Sequence, residues 1–458
     1  MYGYILTNIL AYGGAVVALF HPFVGVCIYW MLEIVRPQFM FSFAGPQGQY
    51  AEAVAIATLI GWAVNGFGNL KLGRARPVLW FLVAYMVWAT LAAAASPEPD
   101  LSFGYFREHG KVWLMFVVAI SLIDTVERAK IAAWVVAGSI GYVTAEFNQF
   151  YYLRGDNYLQ KYGYAGMDNN SFALAIVTLL PTCAYMGLYT RKLWQKALAF
   201  GGAALALHAV LLSYSRGSFL GLVVAGAMAL VVTRKKPGFV VAALLGAVVA
   251  LRLAGAGVQV EFASAFASEE ERDGSAQSRI DLWKDCLEVM GRYPLLGIGQ
   301  GRFRRIAHEF GWPPGKDAHT LWLTVGAEMG VPALVFLLGF YGTTALMLFP
   351  LARSRIDDEP WRWLSVSAAM VLVCLAGFAV AGLFVSMQGL EGPYMVVAMG
   401  VAAIRIAEQE RLKATVASPV RTTATAIAAP GRVAIPAVYS GARRPLGYRG
   451  SEGPSRGA

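Results

Sequence analysis

A polar segment between two long apolar stretches carries most of the side chains that could do chemistry in this chain. The segment covers residues 255–318, and His319 follows it directly. The arginines and histidines here that could take part in a reaction are Arg279, Arg302, Arg304, Arg305, His308 and His319. Guanidinium groups match phosphate oxygens in geometry and charge, and an imidazole exchanges a proton near neutral pH. The segment therefore predicts charge stabilisation by arginine together with proton transfer by histidine.

A further arginine, Arg216, lies in a short turn between two apolar runs, within the sequence SYSRGS at 213–218. An arginine at the edge of a membrane is costly unless it meets water, an acidic partner or a ligand phosphate. Two interpretations stay open for it. Arg216 either contacts a ligand or extends its charged end to the membrane interface.

Arg279 and Trp283 are four residues apart and so would be neighbours on one helix face. Ile280, Trp283, Leu287 and Met290 repeat at helical spacing, which predicts an amphipathic helix lying on the membrane face. The pair is either a structural cation–π contact or an arginine directed into a cavity, with Trp283 beside the substrate.

Three glycines are followed by three arginines in GIGQGRFRR at 297–305. No strand precedes the glycines, so the dinucleotide-binding and P-loop patterns are absent and a flexible turn is favoured. Arg302, Arg304 and Arg305 remain candidates for binding a substrate phosphate.

His319 is the candidate general base, because a neutral imidazole at the membrane face can accept a proton. Asp317 or Glu328 could orient it, and a purely structural histidine is the alternative. Asp168 and Asn169 precede an apolar run, which indicates helix N-capping, with a polar wall for a sugar as the second interpretation.

The composition restricts the class of protein. The chain has 458 residues, 57% of them hydrophobic and 14% charged, with a mean hydropathy of +0.53. An ordinary soluble domain has about 25% charged residues. Only many helices that face lipid or one another can accommodate so much apolar surface. We therefore predict an all-α polytopic membrane protein with about 12 transmembrane helices.

The apolar runs divide the chain into four parts. N-terminal transmembrane helices occupy 1–254, and a large periplasmic loop with an amphipathic helix occupies 255–318. C-terminal transmembrane helices occupy 319–407, and a disordered basic tail occupies 408–458. The net charge of +10 comes largely from this tail and from short loops, so we expect the lipid bilayer as a partner and no nucleic acid.

Basic residues cluster in short loops that fall on one side of the membrane when the spans are counted. The clusters are Lys71, Arg74 and Arg76; Arg191, Lys192 and Lys196; Arg234, Lys235 and Lys236; and Arg353, Arg355 and Arg362. The positive-inside rule assigns that side, and the tail, to the cytoplasm. The polar segment and the turn around Arg216 are then expected to face the periplasm.

Several kinds of site are not indicated by the sequence. The motifs HExxH, GxSxG and Walker A do not occur, and no outward acidic pair has the spacing expected of a metal-bound nucleotide-sugar site. The four cysteines form no CxxC pair. We therefore predict no metal and no cofactor.

Three segments in order carry a family resemblance: YSRGSFLGL, SRIDLWKDCLEVMGRYPLLGIGQGRF and AHTLWLTVGAEMGVPALVFL. Together they resemble the O-antigen ligase and polymerase superfamily. HPFVGVCIYWMLEIVRPQFMF and AGMDNNSFALAIVTLLP are similar to a subgroup, the putative O-glycosylation ligases associated with exosortase A. The chain departs from the pattern at Gly330–Ala333, where the second glycine of Gly-x-x-Gly is absent.

The resemblance implies a GT-C-like enzyme of the bacterial inner membrane. Such a ligase transfers a glycan from undecaprenyl diphosphate to a protein, lipid or polysaccharide acceptor at the periplasmic face, without a metal and with inversion. By motif, Arg216 and Arg279 match the arginines that stabilise the diphosphate, and His319 matches the base. The alternatives are a polymerase of the same fold, which uses the same donor, and, in another class, a polysaccharide transporter. A transporter would carry its charges at mid-membrane in broken helices.

Overall fold

The structure, a computed structural model, describes residues 2–40, 48–233, 252, 274–354 and 356–417. The predicted span at about 237–254, the first part of the polar segment and most of the basic tail lie outside the described residues. By internal contacts the chain divides into Met1–Lys413 and Ala414–Ala458, and the second unit is described only at residues 414–417.

The described residues are predominantly helical, and their regular elements contain no β-strand. The α-helices, in chain order, are α1 (Tyr2–Asn8), α2 (Gly14–Phe20), α3 (Pro22–Val35), α4 (Pro37–Met40), α5 (Tyr50–Val64), α6 (Arg76–Ala94), α7 (Pro99–Leu122), α8 (Val126–Arg154), α9 (Tyr158–Tyr162), α10 (Asn169–Tyr189), α11 (Leu193–Leu212), α12 (Arg216–Val232), α13 (Gly274–Arg292), α14 (Phe303–Ile306), α15 (Leu321–Ala352), α16 (Trp361–Ala381) and α17 (Gly392–Ala417).

Within the described ranges, 7 helical segments are long and apolar enough to cross a membrane. They are Gly3–Phe20, Pro22–Met40, Gly73–Ala94, Asn169–Tyr189, Leu193–Leu212, Leu321–Ala352 and Trp361–Ala381. Tyr50–Val64 and Arg216–Val232 are shorter apolar helices. The predicted class, an all-α polytopic membrane protein, is confirmed. The number of about 12 spans stays a prediction.

Small residues bring α12 against α16 and α10. A Cβ atom placed on Gly221 would lie 2.9 Å from the carbonyl oxygen of Gly377, and one on Gly377 would lie 3.0 Å from a methyl group of Val177. Close backbone approach through small residues is the usual way in which membrane helices pack. This packing places the first residue of α12, Arg216, near the end of α16.

Helix α15 is interrupted at Gly330, and the interruption anchors the glycine-rich turn. Gly330 has φ 84° and ψ 165°, a conformation that only glycine adopts readily. A Cβ there would lie 1.8 Å from the carbonyl oxygen of Leu295. On the N-terminal side of the break, the amide of Gly299 donates to the carbonyl of Glu328 at 2.8 Å. The glycines are therefore used for close backbone packing, in agreement with the predicted turn.

Helix α13 is the predicted amphipathic helix, but its buried face differs from the predicted one. Leu282, Cys286 and Val289 are fully buried, and α13 packs on α15. Leu287, which we assigned to the apolar face, is 53% exposed. The helix is therefore rotated relative to the prediction, because its buried face is the one that packs on α15.

Helix α17 extends beyond the predicted start of the tail at residue 408. It runs to Ala417, and the carboxylate of Glu408 accepts a hydrogen bond from the amide of Arg74 at 2.7 Å. Lys413 and Glu410 form an ion pair at 2.7 Å along the helix. These polar contacts continue the helix past the apolar residues on which the predicted boundary was based.

Candidate active site

Phe384, in the connection between α16 and α17, contacts three separate segments of the chain. The guanidinium carbon of Arg279 lies 6.0 Å from the centre of its ring, and the ring of Trp283 lies 5.9 Å away. A Cβ on Gly217 would lie 2.5 Å from the Cβ of Phe384. The turn that carries Arg216 and the helix that carries Arg279 therefore meet on one aromatic side chain.

His319 reaches the same place through the backbone of the α16–α17 connection. The amide of Thr320 donates to the hydroxyl of Ser386 at 3.0 Å, and the amide of Leu321 donates to the carbonyl of Gly382 at 2.8 Å. His319 itself has φ 51°, a conformation uncommon for a residue with a side chain. The strained backbone turns the half-buried imidazole toward a cavity instead of into α15.

This cavity, which we call the histidine cavity, has a volume of about 560 Å³. Its polar lining residues are Asp168, Asn170, Ser171, Arg304, Lys316, Asp317, His319 and Ser386. Phe384 also lines it, so the aromatic ring that contacts Arg279 and Trp283 forms one of its walls. Arg216, Arg279 and Trp283 are not themselves lining residues of the cavity; Arg279, Trp283 and the Arg216 turn lie next to it through their contacts with Phe384.

The surroundings of His319 favour its neutral form. Burial lowers the pKa of His319, the positive charges of Arg279 and Lys316 lower it as well, and the carboxylate of Asp317 raises it. A neutral imidazole is the form that can accept a proton. Within the described part of the chain, neither Asp317 nor Glu328 hydrogen-bonds the ring, so the orienting contact considered from the sequence is not formed. The backbone sets the position of the ring.

Arg216 is the first residue of α12, and the turn before it is tightly organised. Ser215 caps the helix by accepting from the amide of Ser218 at 3.4 Å, and Tyr214 has φ 57°. The side-chain amide of Asn169 donates to the carbonyl of Ser213 at 2.8 Å. Arg216 is half-buried, and its two interpretations stay predictions.

Asp168 has the role that capping predicts, whereas Asn169 makes a different contact. The Asp168 carboxylate accepts from the amide of Ser171 at 2.8 Å and so caps α10. Asp168 also lines the histidine cavity, whereas Asn169 ties α10 to the Arg216 turn. Capping therefore accounts for the sequence pattern, and it leaves one carboxylate at the cavity wall.

The three arginines after the glycine turn are directed to different places. Arg304 pairs with Asp317 and lines the histidine cavity. Arg302 pairs with Glu98 at 3.1 Å, and Arg305 pairs with the same carboxylate at 3.4 Å. Neither Arg302 nor Arg305 is among the residues that line the cavity. Successive side chains of the short helix α14 point about 100° apart, which separates Arg304 from its neighbours.

A second cavity adjoins the first, and its main residues were not singled out from the sequence. It has a volume of about 830 Å³ and shares Arg304, Asp317, Ser386 and Met387 with the histidine cavity. We call it the glutamate cavity, because its lining includes Glu33, Glu52, Glu108, Glu328 and Glu391. These glutamates come from regions far apart in sequence and have no motif in common, so no sequence signal would have grouped them.

Glu328 is held by the polar segment. It is 4% exposed, and its carboxylate accepts from the amide of Phe303 at 3.1 Å and from the side-chain amide of Gln388 at 3.3 Å. Among the described residues, no group of three or more histidine, cysteine, aspartate or glutamate side chains could hold a metal ion. The carboxylates, amides and cations that line the two cavities can form hydrogen bonds and ion pairs.

The comparison with protein families matches a segment that carries part of this site. The O-antigen ligase family model matches residues 201–338, which include the Arg216 turn, helix α13, the glycine turn and His319. No curated protein matches the chain. The resemblance to the O-antigen ligase and polymerase superfamily is confirmed, and the exosortase A-associated subgroup stays a prediction.

Proposed function

We propose, on the premise of the O-antigen ligase match at residues 201–338, that this integral membrane protein is a glycan ligase. It transfers a glycan from undecaprenyl diphosphate to an acceptor at the periplasmic face of the inner membrane. The observation that carries the proposal is the meeting of the Arg216 turn, Arg279 and the histidine cavity at Phe384. That arrangement supports a reaction in which cations and a proton acceptor act next to one another.

Arg216 and Arg279 stabilise the leaving group. The acceptor oxygen or nitrogen attacks the anomeric carbon, and the bond from that carbon to the diphosphate oxygen breaks. Negative charge on the departing diphosphate increases as this bond lengthens, and Arg216 and Arg279 stabilise it. Preorganised charges directed at developing charge provide one of the largest contributions to catalysis. Direct displacement inverts the configuration at the anomeric carbon.

His319 serves the nucleophile. The proton of the acceptor hydroxyl or amine passes to the imidazole as the new bond forms. The lowered pKa of His319 keeps the ring neutral, and therefore able to accept this proton, at neutral pH. Its position on a backbone turn, without a side-chain hydrogen bond to a described residue, leaves both ring nitrogens available to substrate and water.

Trp283 is a further substrate contact. Its indole N–H is buried and has no hydrogen-bond partner within the described ranges, although it lies beside Arg279 and Phe384. A buried donor without a partner costs about 1–3 kcal/mol. A diphosphate or sugar oxygen bound there would accept this hydrogen bond, as would be expected of a substrate-binding tryptophan.

Arg304 and Asp168 complete the proposed substrate contacts in the histidine cavity, and Asn169 supports the Arg216 turn. Arg302 and Arg305 are held by Glu98, and we assign them to the electrostatic attraction of the anionic donor. The positive-inside rule supports a periplasmic site and a cytoplasmic C-terminal tail.

The test is complementation of a deletion strain, with analysis of the glycans on the carrier lipid. We expect the deletion to accumulate long glycans on the carrier and the wild-type gene to clear them. Arg216→Gln and His319→Gln should fail to clear them despite normal membrane levels. A deletion that shows only single-repeat products would instead identify the polymerase of the same fold.

His308→Gln is the matched control for His319→Gln. His308 lies in the same segment, bonds to the backbone of Arg305 at 2.7 Å, and does not line the histidine cavity. It should clear the carrier normally. Normal clearance by Arg216→Gln or by His319→Gln would contradict the role given to that residue.

A further inference from the structure

The charges of the glutamate cavity are unevenly balanced. Each of its cations already has an acidic partner: Arg36 pairs with Glu33 at 3.6 Å, Lys111 pairs with Glu108 at 3.1 Å, and Arg304 pairs with Asp317. The lining also contains Glu52, Glu328 and Glu391, and none of these forms an ion pair in the described part of the chain. The cavity therefore offers acceptors and negative charge to whatever occupies it.

Glu391 is the carboxylate that a tyrosine of α3 holds. The hydroxyl of Tyr29 donates to it at 2.7 Å, which holds one oxygen in place. Burial raises the pKa of Glu391 well above its usual range, and the charge of Glu33 raises it further. The uncharged carboxyl group is therefore favoured when no charged ligand is bound and exchanges hydrogen bonds with hydroxyl groups, whereas a ligand with a positive charge favours the ionised form and a ligand with a negative charge disfavours it.

His109 adds a donor to the same space. It is 7% exposed, and its Nδ1 lies 3.3 Å from the side-chain nitrogen of Gln300. Because this amide donates to Nδ1, the hydrogen of the ring is on Nε2. That nitrogen has no partner among the described residues. A Cβ atom added to Gly389, which also lines the cavity, would lie 3.2 Å from it. A buried N–H group is thus directed at the cavity.

The glutamate cavity also has aromatic side chains in its wall and the volume of a small-molecule site. Tyr50 and Tyr105 line the cavity together with the polar groups, and its volume of about 830 Å³ falls in the range of about 300–1,000 Å³ typical of small-molecule sites. Many acceptors, an N–H donor and aromatic faces together fit a ligand with many hydroxyl groups. The shared residues Arg304 and Asp317 connect this space to the histidine cavity.

We propose that the glutamate cavity is a saccharide subsite that selects uncharged or amino sugars over acidic sugars, next to the reaction centre. The subsite proposal rests on the proposed glycan transfer and adds the class of sugar that the protein selects. The sugar bound there belongs either to the glycan of the donor or to the acceptor. Both sources present the same hydroxyl and amine chemistry to the carboxylates.

The experiment measures binding and requires no turnover. The full-length protein in lipid nanodiscs is titrated with three disaccharides of equal length, namely chitobiose, its de-N-acetylated glucosamine dimer and digalacturonate, while tryptophan fluorescence is recorded. We expect the glucosamine dimer to bind most tightly, chitobiose next, and digalacturonate at least tenfold more weakly than the glucosamine dimer. Tighter binding of digalacturonate, or no saccharide binding, would overturn the proposal.

Variants locate the binding site. Glu391→Gln keeps an oxygen for the hydroxyl of Tyr29 but cannot ionise when an amine binds, so it should reduce the preference for the glucosamine dimer over chitobiose at least threefold. Glu52→Gln, at the exposed edge of the cavity, should act in the same direction. The matched control is Glu288→Gln, on the exposed face of α13, which should change nothing. Unchanged selectivity in both cavity variants would contradict the assignment.

A second arm identifies the source of the sugar. Saturation with a carrier-lipid diphosphate glycan should displace the disaccharide if the donor glycan occupies the subsite, and should leave it bound if the acceptor does. Either result supports a saccharide subsite. Saccharide binding by a protein that never transfers glycan would contradict only the proposed function, whereas transfer without charge-dependent saccharide binding would contradict only the subsite.

Discussion

The two adjoining cavities differ in charge although they share four residues. The histidine cavity has His319 and Lys316 in its wall and Arg279 beside its Phe384, whereas the cations of the glutamate cavity, including the shared Arg304, all pair with carboxylates, and further carboxylates remain without an ion pair among the described residues. The first is suited to an anionic group and a proton, the second to hydroxyl groups and amines. The contrast indicates that bond breaking and sugar recognition are divided between neighbouring spaces.

Removing the proposed base should have the largest effect on the transfer rate, without an effect on sugar binding. His319→Gln keeps a polar side chain but cannot accept the acceptor proton, so we expect transfer to fall by about 10²- to 10⁴-fold. Disaccharide binding in the glutamate cavity should be unchanged. The measurements are initial rates with a lipid-linked glycan and the fluorescence titration. Equal losses of transfer and of sugar binding would show that the cavities do not act separately.

Removing one cation should have the next largest effect. Arg279→Gln leaves a hydrogen-bond donor without the charge, and we expect transfer to fall by about 10²- to 10³-fold. Arg292→Gln, on the exposed part of the same helix, is the matched control and should stay near the wild-type rate. A wild-type rate for Arg279→Gln would show that the contact of Arg279 with Phe384 is structural and that Arg279 takes no part in transfer.

The contact between Gly217 and Phe384 can be tested through stability. Gly217→Ala places a Cβ 2.5 Å from Phe384, so we expect overpacking to cost about 1–3 kcal/mol and to lower both the melting temperature and the transfer rate. Gly226→Ala lies on the same helix with nothing within 4 Å and should be neutral or slightly stabilising. Similar melting temperatures for the two variants would rule out the close contact.

The smallest expected effects are opposite shifts of the acidic limb of the pH profile. Transfer requires neutral His319, so the rate falls as the pH drops below its pKa. Asp317 raises that pKa and Lys316 lowers it. Asp317→Asn should therefore move the acidic limb of kcat/KM to lower pH, and Lys316→Gln should move it to higher pH.

Arg304→Gln serves as the control for Asp317→Asn, because it breaks the same ion pair without removing the carboxylate. A shift of the limb in the same direction for Asp317→Asn and Lys316→Gln would mean that another group titrates.

Local patterns predicted the elements well and the distribution of side chains less well. Helix α13 and the cap at Asp168 follow from short-range spacing, and both are present. The three arginines after the glycine turn were treated as one group from the sequence. In the structure, two of them pair with Glu98, which lies about two hundred residues earlier in the chain, and the third pairs with Asp317. The apolar face of α13 was also misjudged, because its partner α15 is formed by residues that follow it.

The amino-acid order alone specified the membrane class, the turn around Arg216, the capped helices and His319 as a candidate base, because hydropathy and local hydrogen bonding act over a few residues. Only the folded chain decided that Phe384 joins these segments and that Glu391 and Glu328 share a cavity. Those placements depend on helix packing through Gly221 and Gly377 and on the break at Gly330. Contacts between distant segments leave no periodic signal in the chain.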